Sequence, residues 1–142
     1  MTNWIITASR DHVLQAVAGG FIQAGHGRPH PVRAMAPGDQ VICYSPRTEH
    51  PDGERLQAFT AIGRVLDGEP TQAEVGPEFR PWRRPVSFED CHETPIRPLI
   101  DRLDFIVDKA RWGYRFRFGG FRIDDHDVDV IRAAMVPSEV CG

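Results

Sequence analysis

The sequence predicts an α/β fold of the α+β type, a single domain over residues 1–142 built on a curved sheet of mixed, mostly antiparallel strands. A chain of this length has the size of one domain. The sequence contains short apolar or alternating segments bounded by Gly and Pro, which are typical of strands. It also contains amphipathic segments, which are typical of helices. We find no internal repeat and no low-complexity tract.

The first element is a strand over Asn3 to Thr7, followed by a helix that Ser9 can cap. Gly19 and Gly20 end the helix. Its apolar face is predicted to consist of Val13, Leu14, Val17 and Phe21. Because the glycines follow the helix, its N-terminus carries no phosphate-binding cradle of the Rossmann type.

Turn residues at Pro37-Gly38-Asp39 precede an apolar run, Val41 to Tyr44, which indicates a strand covered on both faces. The proline at position 46 should end that strand abruptly and leave Tyr44, Ser45 and Arg47 at one rim of the sheet. Leu56 to Val65 alternates well enough to be the next strand.

The second half of the chain predicts four more elements. Phe79 to Phe88 should be extended at a sheet edge, because Pro81 and Pro85 cannot donate hydrogen bonds. Thr94-Pro95 should start a helix whose apolar stripe is Ile96, Leu99, Ile100, Leu103, Ile106 and Val107. Trp112 to Phe118 alternates aromatic residues with Gly113, Arg115 and Arg117, which predicts a strand. Asp125 should cap a last helix that buries Val128, Ile131 and Met135.

Composition narrows the classes of function. The net charge of -3 argues against a non-specific polyanion binder, although residues 80–122 hold nine arginines and Lys109 against six acids. No apolar run approaches the roughly 20 residues that span a bilayer. The first residues lack a basic stretch followed by an apolar one, so we expect no signal peptide. We expect a cytoplasmic monomer without membrane contact.

Catalytic and metal-binding patterns are weak. The three cysteines, Cys43, Cys91 and Cys141, form no CxxC pair, so neither a zinc knuckle nor a disulfide framework is supported. His26 and His30 cannot share a helical face, because prolines flank the second. The acidic group of Asp124, Asp125, Asp127 and Asp129 fits helix capping better than a cation site. We therefore expect no enzyme, no metal and no cofactor.

A resemblance covers nearly the whole chain. The segments that carry it are Asn3-Trp4-Ile5-Ile6, Gly20-Phe21-Ile22-Gln23, His26-Gly27, Met35-x-Pro-Gly-Asp-x-Val-Ile-x-Tyr-Ser-Pro, Ala58 to Gly63, Phe79-Arg80-Pro81-Trp82-Arg83-Arg84-Pro85, Trp112-Gly113 and Ile131 to Met135. In these segments the chain resembles the EVE domain family, which is similar to PUA-like barrels and related to the YTH readers. The resemblance implies a small curved β-barrel with flanking helices.

The same resemblance implies a binding pocket at the barrel rim, and the residue types suit a flat polar ring. Aromatic faces stack on a flipped or single-stranded base, and short polar side chains bond to its edge. The base-pocket candidates are Asn3, Trp4, Ser9, His26, Gly27, Tyr44, Ser45, Pro46, Phe79, Pro81 and Trp82. The phosphate-binding candidates are Arg28, Arg47, Arg80, Arg83, Arg84, Arg115 and Arg117.

Each candidate has a structural alternative. Trp4 and Tyr44 could be core residues, Ser45-Pro46 could only end a strand, and the arginines could form a solvated strand face. Trp82, between Pro81 and Arg83, is the strongest candidate for a pocket wall.

The function expected from these residues and from the resemblance is a non-catalytic reader of nucleic acid, DNA or RNA. The base it reads would be a modified cytosine or similar, flipped into an aromatic pocket. The first alternative is a sensor or enzyme that uses this pocket for a free nucleoside or small anion. The second is an adaptor whose basic face docks a protein.

Overall fold

The computed structural model describes residues 2–23, 32–73 and 81–136, apart from the side chain of Phe118. The strands and α-helices are β1 (Asn3–Thr7), α1 (Arg10–Gly19), β2 (Phe21–Gln23), β3 (Gln40–Arg47), β4 (Arg55–Val65), β5 (Thr71–Gln72), β6 (Trp82–Phe88), β7 (Thr94–Pro95), β8 (Gly120–Ile123) and α2 (Asp125–Met135). Short 3-10 helices lie at Val32–Ala34, Arg97–Arg102, Lys109–Arg111 and Tyr114–Phe118.

The strands form one sheet, curled into a half-barrel and flanked by the helices. Their order is β2-β6-β4-β3-β1-β8, with β5 added beside β6 and β7 beside β4. Strands β1 and β3 run parallel, and the other pairs are antiparallel. The predicted fold class, a mixed and mostly antiparallel curved sheet with helices beside it, is confirmed.

The parallel pair β1 and β3 lies between two layers of core. Its register places Ile5 opposite Ile42 and Thr7 opposite Tyr44. Side chains on one face join a core with α2, and those on the other face join a core with α1. Val41 to Tyr44 is buried throughout, as the apolar run predicts. The strand does not end at Pro46, because a register shift against β4 accommodates the proline and pairing resumes at Arg47.

Helix α1 ends as predicted but is rotated relative to the predicted face. Gly20 has a φ of 72° and its N–H bonds to the carbonyls of Ala16 and Val17, a left-handed cap suited to glycine. Val13 and Ala16 are buried, whereas Leu14 is 55% exposed. Phe21 belongs to β2, which begins directly after the cap.

The predicted strand at Trp112 to Phe118 is wrong, because Trp112 and Gly113 form a turn and Tyr114–Phe118 is a short 3-10 helix. A strand needs neighbouring strands as hydrogen-bond partners, whereas this backbone bonds within itself, and the N–H of Phe116 donates to the carbonyl of Gly113 at 3.2 Å. Phe116 is buried and stacks on Tyr44 at a ring distance of 3.9 Å, while Tyr114 is 53% exposed. The alternation of aromatic and basic residues therefore does not separate two faces of a sheet.

The predicted helix from Thr94 is also wrong. Thr94–Pro95 pairs with β4, and only Arg97–Arg102 is helical, as a 3-10 turn. The segment beyond Leu103 is held by α2, since the carboxylate of Asp127 accepts the N–H groups of Asp104 and Phe105 at 2.7 and 2.9 Å. Most of the apolar stripe is still buried, but Val107 is 90% exposed.

Two smaller expectations need correction. Strand β6 is not at an edge, because it pairs with β2 and β5 near its start and with β4 near its end. Helix α2 begins at Asp125, with Asp124 rather than Asp125 at the N-cap position. The carboxylate of Asp125 accepts a hydrogen bond from Nδ2 of Asn3 at 2.7 Å. The burial of Val128, Ile131 and Met135 is confirmed.

Candidate ligand-binding cavity

A cavity of about 450 Å³ opens beside the carboxyl ends of β1 and β3. Its volume lies within the range of about 300–1,000 Å³ that is usual for small-molecule sites. The described residues that line it are Ile6, Thr7, Ala8, Ser9, His12, Val13, Gln15, Ala16, Phe21, Ile22, Gln23, Cys43, Pro46, Arg47, His50 and Arg83.

The topology of the sheet explains why the cavity is at this place. Parallel strands end at the same edge, so the chain segments that leave β1 and β3 separate there. One segment turns into α1 through Ser9, and the other continues through Pro46 and Arg47. The antiparallel pair of β2 and β6 supplies a further wall, because Gln23 lies opposite Arg83.

One wall carries an aromatic ring covered by a guanidinium group. Cζ of Arg83 lies 4.1 Å from the ring centre of Phe21, and Nε of Arg83 donates to Oε1 of Gln23 at 2.9 Å. The ring can take this position because Gly19 has no side chain. A Cβ built at Gly19 would lie 2.7 Å from Cδ2 of Phe21, closer than carbon atoms pack.

The cavity is electropositive. Of its described lining residues, Arg47 and Arg83 are charged and none is an acid. Arg47 donates from Nη1 to the carbonyl of Gly53 at 2.9 Å. Among the described residues neither guanidinium has a carboxylate within 4.0 Å, whereas Arg10 pairs with Glu93 at 2.9 Å. Such a pair of cations favours an anionic or phosphate-bearing ligand.

The hydroxyl of Ser9 is engaged at the entrance to α1. Its Oγ donates to Oδ1 of Asp11 at 2.5 Å. This bond is the main reason that the pKa of Asp11 is lowered from its ordinary value. Ser9 therefore lines the cavity as one half of a hydrogen-bonded pair, and no cap bond joins its side chain to the N–H groups of α1.

Cys43 lines the cavity but is not a nucleophile at neutral pH. Burial raises the pKa of its thiol to about 12. A thiol with this pKa remains protonated, and protonated thiols react poorly.

Two of the aromatic candidates lie in the core rather than in the cavity wall. Trp4 is 1% exposed, donates from Nε1 to Oδ2 of Asp39 at 3.0 Å, and is covered by Arg122 at 5.0 Å from its ring centre. Tyr44 is 2% exposed and stacks on Phe116. Both rings therefore pack against the protein's own side chains as core residues, which was the structural alternative for these two positions.

Two of the short polar candidates are also engaged elsewhere. Asn3 is 3% exposed, bonds to Asp125 and accepts from Nε2 of Gln40 at 3.2 Å. It lies at the amino end of β1, opposite the end that lines the cavity. Ser45 is fully buried and its Oγ bonds to Oγ1 of Thr60 at 2.8 Å.

Trp82 and Pro81 are not among the residues that line the cavity. Trp82 is half-buried, packs against the core on the α1 side of the sheet, and has the guanidinium of Arg33 at 5.0 Å from its ring centre. Pro81 is buried, and its carbonyl accepts from the N–H of Ala73 at 2.9 Å.

The candidate arginines separate into three groups. Arg47 and Arg83 line the cavity. Arg84 is 5% exposed and donates to the carbonyls of Val32 and Gly68 at 3.4 and 3.2 Å, which ties two turns to β6. Arg115 and Arg117 lie in the Tyr114–Phe118 turn. His26, Gly27, Arg28, Phe79 and Arg80 lie outside the described residues.

Several lining residues were not predicted, namely Phe21, Gln23, His12 and His50. Phe21 and Gln23 lie in the Gly-Phe-Ile-Gln segment that carries the family resemblance, and this was the available signal. The sequence pattern assigned Phe21 to the helix, because a strand of three residues is too short to show a period of two.

One acidic group could be mistaken for a metal site. Ligand atoms of Asp104, His126 and Asp127 lie within 4.8 Å of one another. Both oxygens of Asp127 already accept backbone N–H groups, and Nε2 of His126 lies 3.1 Å from the carbonyl of Arg102. These contacts give the group a structural role in holding α2.

In the described part of the chain, no helix has the length and apolar character to cross a membrane.

Known proteins with similar sequences or similar folds support the fold described above and identify related chains. The family model described as "EVE domain" matches residues 2–134. A UPF0310 protein of Mycolicibacterium vanbaalenii is 68% identical over 136 residues, which cover 96% of this chain and 94% of that protein. UPF0310 protein YdcG of Bacillus subtilis is 39% identical over 132 residues, covering 93% and 90% of the two chains. A hypothetical protein of Leishmania major has a similar fold, with a TM-score of 0.59 at 12% identity over 92% of each chain.

Proposed function

The chain belongs to the EVE-domain family, and on that premise we propose that it reads a modified base in DNA or RNA. The family is PUA-like and is associated with nucleic-acid binding. In this proposal a nucleotide flipped out of its strand places its base, a modified cytosine or similar, in the cavity beside β1 and β3. The protein binds the base and does not transform it.

The observation that carries the proposal is the wall formed by Phe21 and Arg83. Arg83 covers part of the ring of Phe21, but Phe21 is only half-buried, so the uncovered part of the ring can contact a base and the guanidinium can contact a phosphate. Base–aromatic stacking contributes about 1–3 kcal/mol per base. The apolar part of the lining, which includes Ile6, Val13 and Ile22, would favour extra apolar surface on a modified base by about 1–3 kcal/mol per methyl-sized group.

Arg47 and Arg83 support the nucleic-acid part of the proposal. Contacts to phosphates position a strand, while the pocket distinguishes the base. The two arginines lie on different strands at the cavity and lack carboxylate partners among the described residues, so they are available to phosphates on either side of a flipped nucleotide.

Two groups at the cavity that could act as nucleophiles, the thiol of Cys43 and the hydroxyl of Ser9, are both in states that favour binding without catalysis. The pKa of Cys43 is raised to about 12, and Ser9 bonds to Asp11, a carboxylate, rather than to a histidine that could act as a base.

The test measures fluorescence anisotropy with short oligonucleotides that carry one central cytosine or 5-methylcytosine, as DNA and as RNA. Phe21→Leu should reduce the preference for the modified base, because the stacking surface is lost. Arg83→Gln should weaken modified and plain strands alike. Arg64→Gln serves as the control, since Arg64 lies opposite Gln40 at the other end of the sheet.

If the wild type binds the oligonucleotides and both cavity variants bind them with unchanged affinity, the assignment of the base to this cavity is refuted. Binding of free 5-methylcytidine as tight as that of the oligonucleotide would favour a small-molecule sensor. A change in the mass of either ligand after incubation would show an enzyme.

A further inference from the structure

A second positively charged surface lies outside the cavity. Residues 109–117, here named the basic segment, contain Lys109, Arg111, Arg115 and Arg117 and no acidic residue. This is a local charge of +4 on a chain whose net charge is -3. Such a cluster creates a local positive potential, which attracts anionic ligands.

Three of the four cations of the basic segment are presented to solvent, and the fourth, Arg115, is half-buried with its guanidinium 4.7 Å from the ring centre of Phe121. Lys109, Arg111 and Arg117 are exposed. Within the part of the chain that the structure describes, none of the four cations has a carboxylate within 4.0 Å. The ammonium group of Lys109 donates to the carbonyls of Ile100 and Leu103 at 2.9 and 3.2 Å, which leaves its full charge in place.

An aromatic ring is displayed between these cations. Tyr114 is 53% exposed, and the guanidinium of Arg117 lies 5.8 Å from its ring centre. In a 3-10 helix residues three apart lie above one another, which brings this pair together. Phe116 stacks on Tyr44 and anchors the turn to the core. Exposed aromatic rings among cations are typical of surfaces that bind single-stranded nucleic acid.

The basic segment adjoins the cavity. The carbonyl of Gly119, two residues beyond Arg117, accepts the N–H of Thr7 at 2.8 Å, and Thr7 lines the cavity. Phe116 lies over Tyr44, whose neighbour Cys43 lines the cavity from the other face of the same strand. The cavity and the basic segment thus flank one end of the sheet on opposite faces.

We propose that the basic segment binds the nucleic-acid strand next to the nucleotide held in the cavity. Arg111, Arg115 and Arg117 contact the phosphates, and a neighbouring base stacks on Tyr114. This inference rests on the proposed function, because it takes the ligand to be nucleic acid. It adds that recognition extends beyond the flipped nucleotide, around the end of the sheet.

The test measures binding of oligothymidine of increasing length, and of strands with one central 5-methylcytosine, between 50 and 200 mM salt. Arg111→Gln combined with Arg117→Gln should reduce the slope of log affinity against log salt by about 1.4, or about 0.7 for each lost contact on a single strand. Over this fourfold range of salt, the wild-type affinity should therefore fall about sevenfold more than that of the double variant.

Two further variants control the interpretation. Arg64→Gln removes one positive charge far from the basic segment, and its salt slope should equal that of the wild type. Tyr114→Ala should weaken binding of long strands but not of free 5-methylcytidine, while Tyr114→Phe retains the ring and the affinity. Circular dichroism checks that each variant is folded.

The possible results separate the two proposals. A reduced slope in the double variant without any preference for 5-methylcytosine supports the basic segment and refutes base reading. A preference for 5-methylcytosine with an unchanged slope overturns the basic segment alone. Failure of every oligonucleotide to bind overturns both, and binding of polyglutamate instead would assign the basic segment to an acidic protein.

Discussion

Asp39 joins the amino ends of the two strands whose carboxyl ends form the cavity, and its replacement by asparagine is the sharpest test of the fold. The carboxylate is 4% exposed and accepts three hydrogen bonds. Their donors are the N–H of Thr2 at 3.0 Å, Nε1 of Trp4 at 3.0 Å and the N–H of Ala36 at 2.9 Å. Burial alone would raise the pKa of Asp39, but these bonds outweigh it and the pKa is lowered.

We expect Asp39→Asn to lower the free energy of unfolding by about 2–4 kcal/mol at pH 7. Oδ2 accepts from both Trp4 and Ala36, so the amide oxygen of asparagine can keep these two bonds without their charge. The amide NH₂ then faces the N–H of Thr2, which loses its acceptor. Hydrogen bonds to charged groups contribute about 1.5–3 kcal/mol, and a buried donor without a partner costs about 1–3 kcal/mol.

The lowered pKa of Asp39 predicts how the stability difference between the wild type and Asp39→Asn changes with pH. Because the pKa of Asp39 is lower in the folded protein than in the unfolded chain, its stabilisation is complete above the unfolded value. That stabilisation is lost as the pH falls from the unfolded value of about 3.9 through the folded value. The difference in stability between the wild type and Asp39→Asn should therefore shrink below about pH 4.

Urea denaturation at pH 7, 5, 4 and 3, followed by tryptophan fluorescence, measures this difference. Asp67→Asn, in an exposed turn, is the matched control and should change stability by less than about 0.5 kcal/mol. A variant Asp39→Asn as stable as the wild type at pH 7 would refute the proposed role of the three bonds.

Three other predictions follow from the packing. Gly19→Ala should displace the ring of Phe21 and weaken binding of a 5-methylcytosine oligonucleotide, and adding Phe21→Leu should restore the stability lost; equal losses in the single and double variants would contradict the close approach. Phe116→Ala should cost about 3–5 kcal/mol of stability in urea titrations, whereas Tyr114→Ala, in the same short helix but with a ring that is 53% exposed and contacts Arg117, should cost only about 1 kcal/mol; similar costs for the two variants would mean that the aromatic residues share one face, as in a strand. Iodoacetamide at pH 8 should label Cys43 about a thousandfold more slowly in the native protein than in urea, since its pKa is raised from 9.0 to about 12, and peptide mass spectrometry would show rapid native labelling if this were wrong.

The sequence predicted those elements whose local pattern agrees with their tertiary surroundings. Val41 to Tyr44 is apolar at every position because both faces of β3 are covered. Gly20 ends α1 because the cap requires a left-handed backbone conformation, which glycine adopts readily. The prediction from sequence failed where side-chain packing overrides the local hydrophobic pattern. Trp112 to Phe118 alternates like a strand, yet Phe116 finds Tyr44 across the core and the backbone closes into 3-10 turns instead.

The position of the cavity could be predicted in part. Ser9, Pro46, Arg47 and Arg83 follow or flank strand ends and were identified as site residues, and all four line the cavity. Trp4 and Tyr44 could not be separated from the core by sequence, because an aromatic residue in an apolar strand has the same pattern on either side of the sheet. Arg84 likewise reads as a surface cation beside Arg83, but alternation along β6 turns it towards the carbonyls of Val32 and Gly68.

The pairing of β1 with β8 has a consequence for synthesis of the chain. Ile5 lies opposite Phe121, so the first strand gains its second neighbour only when nearly the whole polypeptide has left the ribosome. Until then its apolar residues border an unpaired edge, the kind of surface at which nascent chains associate wrongly. A messenger truncated before the codon for Gly120 would therefore yield a product with β1 permanently uncovered on that side.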